Sequence, residues 1–226
     1  MFRFPPLFKA EFIKRYKRFF TDVLKDGIVT TVHNPNTGSM KNLLTPGNPV
    51  LCSVSDNPAR KLPCTLEAMC VNGEWLVVNT MVVNRIAESA INEGEIEELG
   101  CVSLCRREYP YDEARLDFYV ESDRGKLLIE VKNCTLYDDE TVMFPDAVTT
   151  RGKKHLEVLQ RAVKDGYGAY MLYMCQVKRG SFRPAHEIDP AYAAEFERAK
   201  AAGVKILVYY TDFDPEEGTV RLRKMI

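Results

Sequence analysis

Long apolar runs are absent from this chain of 226 residues. No segment approaches the roughly 20 consecutive apolar residues that a helix needs to cross a bilayer, and the N-terminal residues lack the apolar stretch of a secretory signal. We therefore expect a cytoplasmic protein with no membrane-bound part. Hydrophobic residues make up 46% of the chain and charged residues 28%, which is ordinary for a globular protein of one large or two modest domains.

The chain also lacks a strong excess of charge and a paired arrangement of cysteines. Its 31 Lys and Arg against 32 Asp and Glu leave a formal net charge of −1, which excludes a general polycation. Any surface for nucleic acid must therefore come from local clusters of bases. Seven cysteines, an odd number without a C-x-x-C pair, argue against a disulfide framework and against a zinc site.

Residues 1–80 contain short strand candidates separated by turn signals, a spacing typical of a small β-barrel. Between residues 9 and 23, aromatic residues alternate with bases along one strand-like segment. A surface for single-stranded nucleic acid needs this combination, because rings stack on bases while cations follow the phosphates. The candidates for such contacts are Arg15, Lys17 and Arg18. The alternative is that the rings fill the barrel core and the bases coat its outside, and the segment 33–38 either forms a local turn network or touches a ligand.

Residues 115–133 predict two strands around the turn Asp123-Arg124-Gly125. When these strands pair, Asp117, Glu130 and Lys132 fall on one face. Two carboxylates on a rigid sheet form an oxygen-rich site that suits Mg²⁺ or Mn²⁺, and the adjacent ammonium can reach an attacking water or a phosphate oxygen. Asp117 and Glu130 are thus candidate metal ligands and, with Lys132, candidate catalytic residues. The alternative is a cross-strand ion pair without a function.

A helical repeat over residues 80–98, with Asn79 or Thr80 as its cap, precedes these strands. Glu88 on this helix is a candidate for an additional catalytic acid. Glu108, at the end of the strand that follows, is the alternative for that role. A solvated helix carboxylate is the other interpretation of Glu88.

The remaining residues predict helices and buried strands in alternation. Apolar runs over 169–177 and 204–210, separated by a helix that opens at Asp189-Pro190, indicate parallel strands joined by a crossover. A further helix, near residues 148–164, begins with bases although positive charge is unfavourable at a helix N-terminus, which favours contact with phosphate. The candidates for phosphate contacts in this half of the chain are Arg115, Arg151, Lys153, Lys154 and Arg183, whereas we interpret His186 as structural.

Three segments together resemble a known family. They are the R-x-D-F strand around Asp117, the E-V-K strand at Glu130 and the segment F-P-D-A-V-T-T-R-G-K-K-H-L over residues 144–156. On these motifs, and on H-N-P-N-T-G at 33–38 and F-R-P-A at 182–185, the chain resembles the sugar fermentation stimulation protein A family over nearly its whole length. The resemblance implies an OB-like β-barrel domain over residues 1–80. It also implies a restriction-endonuclease-like α/β domain of the PD-(D/E)-x-K type, with a mixed central sheet, over residues 81–226. Leu116 stands where that nuclease pattern has proline.

Three functions are compatible with these features. The first is a DNA-binding protein of this family with a metal-dependent, nuclease-like site that hydrolyses phosphodiester bonds. The second is a non-catalytic, non-specific DNA-binding regulator of sugar (maltose) metabolism, as the family's name suggests. The third is an enzyme that acts on a small phosphorylated or nucleotide ligand in the same cleft. The sequence leaves the oligomeric state open, a homodimer included.

Overall fold

The computed structural model describes residues 1–40 and 42–225. Its first part is a six-stranded barrel, which is preceded by one short strand. The bounds of these strands are β1 Phe2–Arg3, β2 Leu7–Tyr16, β3 Phe20–Lys25, β4 Ile28–His33, β5 Pro49–Val54, β6 Cys64–Val71 and β7 Glu74–Val77. The barrel strands pair in the order β4-β3-β2-β5-β6-β7, and a parallel contact between β4 and β6 closes the barrel. The OB-like barrel predicted from the sequence is confirmed.

The segment 9–23 is a hairpin and not one continuous strand. The chain turns between β2 and β3, where Lys17 and Arg18 adopt positive φ angles of 49° and 62°. A bulge between Phe12 and Lys14 also shifts the register within β2. As a result Phe12 is buried in the barrel core, whereas Tyr16 is 36% exposed. A strict period of two could not show this, because a turn and a bulge each reset the alternation of faces.

The second part combines three α-helices with nine strands among the described residues. Their bounds are α1 Val83–Asn92, β8 Val102–Tyr111, β9 Ala114–Ser122, β10 Gly125–Cys134, β11 Leu136–Tyr137, β12 Thr141–Phe144, α2 Thr150–Lys164, β13 Gly168–Cys175, β14 Ser181–Pro184, α3 Pro190–Ala201, β15 Lys205–Asp214 and β16 Thr219–Lys224. A 3₁₀ turn spans Glu97–Leu99.

The central sheet has the order β1-β16-β15-β13-β10-β9-β8. The strands β10, β13 and β15 are parallel, as the two buried apolar runs predicted, and the others are antiparallel, so the sheet is mixed. Helix α1 packs on one face through a cluster that includes Ile86 and Ile129, and α2 and α3 cover the other face through a cluster that includes Leu156 and Met171. A second sheet, β11-β12-β14, is small.

Helix α1 begins later than predicted, at Val83, and no side chain caps it. The predicted caps have other partners. Asn79 Oδ1 accepts from the Met81 backbone N–H at 2.8 Å, and Thr80 Oγ1 donates to the Pro35 carbonyl at 3.0 Å. Both candidate caps are therefore used to fix the connection between the barrel and the helix.

The two parts of the chain are joined by more than that connection. Strand β1 pairs with β16, so the first residues belong to the central sheet and not to the barrel. Gln176 reaches across the junction: its Oε1 accepts from the Val77 backbone N–H at 3.2 Å and from Thr211 Oγ1 at 2.8 Å, and its Nε2 donates to Asn133 Oδ1 at 2.6 Å. This buried amide ties the last barrel strand to two strands of the sheet, β10 and β15.

None of the helices in residues 1–40 and 42–225 has the length and apolar character to span a membrane. All seven cysteines lie in these residues and are free thiols.

Candidate active site

Asp117 lies at the point where β9 and β10 separate. Their pairing ends at Phe118 opposite Ile129. Beyond that pair, the Asp117 side chain hydrogen-bonds to the backbone of β10. Its Oδ2 accepts from the Val131 backbone N–H at 2.7 Å, and its Oδ1 accepts from Asn84 Nδ2 on α1 at 2.7 Å. The first predicted acid is therefore held rigidly, both by the strand and by the helix on the far face.

Glu130 lies in the middle of β10, 3% exposed, beneath helix α2. Its Oε1 accepts from Lys132 Nζ at 2.5 Å and contacts His155 Nδ1, while Lys132 Nζ lies 3.3 Å from the same imidazole nitrogen. In the part of the chain that the structure describes, Glu130 Oε2 is buried and has no hydrogen-bond partner. Buried carboxylate oxygens are nearly always paired, so this oxygen is available to a ligand that carries positive charge.

The two carboxylates respond differently to their surroundings. Burial, together with the negative charge of Glu130, raises the pKa of Asp117 to about 6. Burial by itself would also raise the pKa of Glu130, but Lys132 and His155 outweigh it and hold that pKa below its usual value. Glu130 is thus the more acidic member of the pair, and the repulsion between the two carboxylates contributes to the raised pKa of Asp117.

Helix α2 places two further side chains near Glu130. The helix is capped by Thr149, whose Oγ1 accepts from the Gly152 N–H at 3.1 Å. One turn on, His155 points down to Glu130, and Arg151 Nε lies 3.3 Å from His155 Nε2. The structure therefore brings the predicted phosphate ligand Arg151 to the site, linked through a histidine.

The other predicted bases on α2 are placed differently. Lys153 Nζ lies 3.5 Å from Glu157 Oε1, an i,i+4 pair on the helix surface, and Lys154 is exposed. Neither contacts Asp117, Glu130 or Lys132 among the described contacts.

The two candidates for a third acid lie outside the carboxylate pair. Glu88 follows Asn84 by one helical turn on the same face of α1, but its carboxylate lies 3.7 Å from Arg107 Nη1. Glu108 is exposed on β8 with a positive φ of 53°. Within residues 1–40 and 42–225, no group of three or more His, Cys, Asp or Glu side chains is arranged to hold a metal ion.

The predicted bases outside α2 divide into exposed bases and bases that hydrogen-bond within the protein. Arg115 is exposed on β9, two residues before Asp117, and Lys17 and Arg18 are exposed at the tip of the β2–β3 hairpin. Arg183 Nη1 and Nη2 both donate to Glu187 at 2.8 Å, so its guanidinium is engaged.

Arg15 has a structural environment. Its Nη1 donates to the Gly38 carbonyl at 2.9 Å, its Nη2 to the Asn36 carbonyl at 2.6 Å and its Nε to the Arg18 carbonyl at 3.0 Å. A guanidinium has five N–H donors in a fixed fork, and most of them here hold the loop after β4. Arg15 is therefore placed to order that loop.

The loop at 33–39 is a turn network that docks onto the second domain. Asn34 Oδ1 accepts from the Asn36 N–H and Asn36 Oδ1 from the Gly38 N–H, at 3.0 and 2.8 Å. Beyond it, the Ser39 N–H and Oγ both donate to Asp146 Oδ2, at 3.0 and 3.1 Å. The motifs at 33–38 and 144–156 thus meet, and the local-network interpretation of this loop describes its hydrogen bonds.

Sequence reasoning did not select Asn84 or His155 as site residues. His155 is 4% exposed at the helix position that faces the sheet, and it lies inside the segment F-P-D-A-V-T-T-R-G-K-K-H-L, which was the available signal. No sequence signal indicated Asn84, because its contact with Asp117 depends on how α1 crosses the end of β9.

Comparisons with known proteins agree with this architecture. Residues 13–78 match the model of the SfsA N-terminal OB domain, and residues 81–217 match that of the sugar fermentation stimulation protein RE domain. The chain belongs to the sugar fermentation stimulation protein (SfsA) family. A homolog from Magnetococcus marinus is 46% identical over 207 residues, which is 90% of this chain and 89% of the relative. A homolog from Shewanella piezotolerans is 45% identical over 220 residues, 94% of each chain.

A solved structure of another SfsA has the same fold. SfsA of Pyrococcus furiosus, in complex with Ca²⁺, superimposes with a TM-score of 0.89 at 25% identity and covers 100% of this chain and 96% of that one. The chain therefore has the N-terminal OB domain and the C-terminal restriction-endonuclease-like α/β domain that the resemblance implied.

Proposed function

We propose that this SfsA is a DNA-binding protein whose second domain hydrolyses phosphodiester bonds with Mg²⁺ or Mn²⁺. The observation that carries the proposal is the pair formed by Asp117 and Glu130, in which Glu130 Oε2 is buried without a hydrogen-bond partner among the described residues. A lysine, Lys132, contacts the same carboxylate. A structural ion pair would satisfy both carboxylate oxygens, whereas a cation site leaves one free.

The donor set fits a hard divalent cation. Asp117 and Glu130 supply carboxylate oxygens, and Mg²⁺ is commonly bound by one or two carboxylates, with water and phosphate completing its shell. The absence of a third acid among the described residues is therefore compatible with Mg²⁺. The raised pKa of Asp117 also favours a bound cation. A cation between the two carboxylates would remove the repulsion between them. The Ca²⁺ of the Pyrococcus protein supports a divalent site in this fold.

When bound, Mg²⁺ or Mn²⁺ would supply Lewis-acid activation of a phosphate oxygen and of water. The protein's own groups have separate tasks. His155 and Lys132 fix Glu130 Oε1, so that Oε2 faces the ligand. Lys132 is 13% exposed and has N–H donors beyond the one bound to Glu130, which orient water or stabilise charge that develops on the phosphate. Arg151, exposed at the start of α2, binds the neighbouring phosphate.

The test compares the parent with Glu130→Gln, which keeps the size of the side chain, and with Glu140→Gln, an exposed control. Mg²⁺ and Mn²⁺ binding is measured by calorimetry, and cleavage of single- and double-stranded DNA is followed over a metal titration. We expect E130Q to lose metal binding and to cleave at least about 100-fold more slowly than the parent. Even residues that only hydrogen-bond to a metal ligand contribute about 10- to 100-fold to metal affinity or activity. E140Q should match the parent.

Cleavage by E130Q at the parent's rate would contradict the enzymatic proposal. Binding of DNA that weakens steeply with salt, with no metal requirement and no cleavage, would instead identify a non-catalytic DNA-binding protein, as a regulator of sugar metabolism would be.

A further inference from the structure

A second groove lies between the two domains, and neither Asp117 nor Glu130 is among the residues that line it. It is lined by the end of β4, by residues of the β5–β6 connection and by the first residues of α1, and it has a volume of about 630 Å³. Ligand sites for small molecules commonly measure 300–1,000 Å³. The groove is therefore large enough for one nucleotide.

A buried carboxylate, Glu67, lines the groove. Glu67 is 4% exposed, and its Oε1 accepts from Ser53 Oγ at 2.5 Å and its Oε2 from Asn79 Nδ2 at 2.6 Å. An ionised carboxylate has about four acceptor positions, so two remain. Burial raises the pKa of Glu67, although Ser53 and Asn79 oppose the shift. A carboxylate in such a place gains from a ligand that donates hydrogen bonds.

Two arginines line the same groove. Arg60 is fixed by its Nη2, which donates to Thr65 Oγ1 at 3.1 Å and lies 3.4 Å from His33 Nδ1. Arg85 is exposed on α1, with its guanidinium 5.1 Å from the ring centre of Phe2. The groove therefore presents a hydrogen-bond acceptor together with two cations, and a phosphate-bearing ligand with N–H donors needs this combination.

The groove also has exposed apolar side chains. Val54 and Met81 line the groove and are 53% and 69% exposed. Exposed side chains of this size suit contact with the flat face of a ring. They provide apolar contact surface for a nucleobase in the groove.

Helix α1 contributes to both the groove and the candidate active site. Arg85 follows Asn84 directly on α1, and consecutive Cα atoms are 3.80 Å apart. Asn84 contacts the Asp117 carboxylate at 2.7 Å.

We propose that this groove binds one nucleotide of a single-stranded DNA segment, with its base directed to Glu67 and its phosphates to Arg60 and Arg85. Guanine fits best, because the N1–H and N2–H of its Watson–Crick edge are adjacent donors that match the carboxylate. A duplex does not fit, because pairing consumes that edge. The inference rests on the proposed function only in making DNA the substrate; the groove itself requires no metal.

The test measures binding by fluorescence anisotropy in EDTA, where cleavage does not intervene. The probes are a fifteen-nucleotide oligo-dT and the same strand with one central guanine. We expect the guanine strand to bind the parent about tenfold more tightly, in the range of a good bidentate base contact, and Glu67→Gln to bind the two strands equally. The substituted amide keeps both internal hydrogen bonds, because its oxygen accepts from Asn79 and its nitrogen donates to Ser53. Arg85→Gln should weaken both strands alike, whereas Arg124→Gln, an exposed arginine at the β9–β10 turn, should weaken neither.

Equal affinity of the parent for the two strands, or a guanine preference that survives in E67Q, would overturn the proposal. The proposal would also be overturned if the parent bound duplex DNA more tightly than the single strand and R85Q bound the duplex as tightly as the parent does. If guanosine monophosphate bound as tightly as the strand, the groove would be a site for free nucleotides, and the proposal that it binds a DNA strand would be overturned. If E67Q fails to fold, the proposal is tested by two other results: the guanine preference of the parent and the weaker binding of both strands by R85Q. E130Q should keep the guanine preference, so failure of the metal site and failure of this groove are distinguishable.

Discussion

Replacing Asp117 with asparagine should make the metal-free protein more stable while it removes the response to metal. Burial and the charge of Glu130 move the pKa of Asp117 from 3.8 to about 6. Each tenfold change in proton affinity is worth 1.36 kcal/mol. The ionised carboxylate is therefore disfavoured in the folded protein by about 3 kcal/mol, and a neutral amide of the same shape avoids this cost.

The substitution keeps the local hydrogen bonds. The oxygen of the substituted side chain can accept from the Val131 N–H, and its amide nitrogen can donate to Asn84 once the Asn84 amide turns over. We therefore expect D117N to gain up to about 3 kcal/mol at pH 7, which raises the melting temperature by roughly 6–12 °C in a chain of this size. Sites that are built for function commonly carry such a cost.

Thermal unfolding in EDTA and in Mg²⁺ measures both effects. A metal at 100 times its dissociation constant adds about 2.7 kcal/mol to a protein that binds it only when folded, and D117N should lack this gain. Glu130→Gln is the matched comparison, and in EDTA it should change stability in the opposite direction. Lys132 and His155 stabilise the charged form of Glu130, so the free energy of unfolding of E130Q should be lower than the parent's by about 1–3 kcal/mol. A D117N variant less stable than the parent in EDTA would refute the reasoning.

The pH dependence has a definite sign. Between about pH 4 and pH 6, folded metal-free protein retains a proton on Asp117 that the unfolded chain has released. This contribution to stability is complete below pH 4 and is lost as the pH rises through 6. The difference between D117N and the parent should therefore grow across this window.

Three further variants test the surrounding structure. His155→Ala should lower the free energy of unfolding by about 1–3 kcal/mol and weaken Mg²⁺ binding in calorimetry, because His155 orients Glu130; unchanged metal affinity would contradict that role. Arg15→Lys should speed amide hydrogen exchange in the loop 33–39, since a single ammonium cannot replace the fork; an unchanged exchange pattern would count against it. Gly38→Ala should cost about 1–3 kcal/mol in urea unfolding, because its Cβ would lie 2.8 Å from Asp146 Oδ2; a parent-like midpoint would show that the loop yields freely.

The elements that rest on local patterns could be predicted. Alternation of apolar residues around Asp123-Arg124-Gly125 predicted the hairpin, and Gly125 takes a positive φ of 102° at its turn. Buried runs predicted the parallel strands β13 and β15. These features depend on side chains a few residues apart, so a single sequence contains the information.

The partners of each functional side chain could not be predicted in the same way. Arg15 had the pattern of a nucleic-acid ligand, but the loop it holds is more than 20 residues away in the chain. Glu88 was selected on α1 because it is an acid, whereas the residue of that helix that contacts Asp117 is Asn84.

The sequence by itself determined the hairpin that carries Asp117, Glu130 and Lys132, because short-range periodicity and turn chemistry decide it, and the resemblance of its motifs to a family implied the two folds. The tertiary structure alone decided that His155 closes over Glu130, that Asn84 holds Asp117, and that one oxygen of Glu130 is buried without a hydrogen-bond partner among the described residues. The physical reason is that each of these contacts joins separate elements, and their meeting depends on how helices α1 and α2 pack across opposite faces of one sheet.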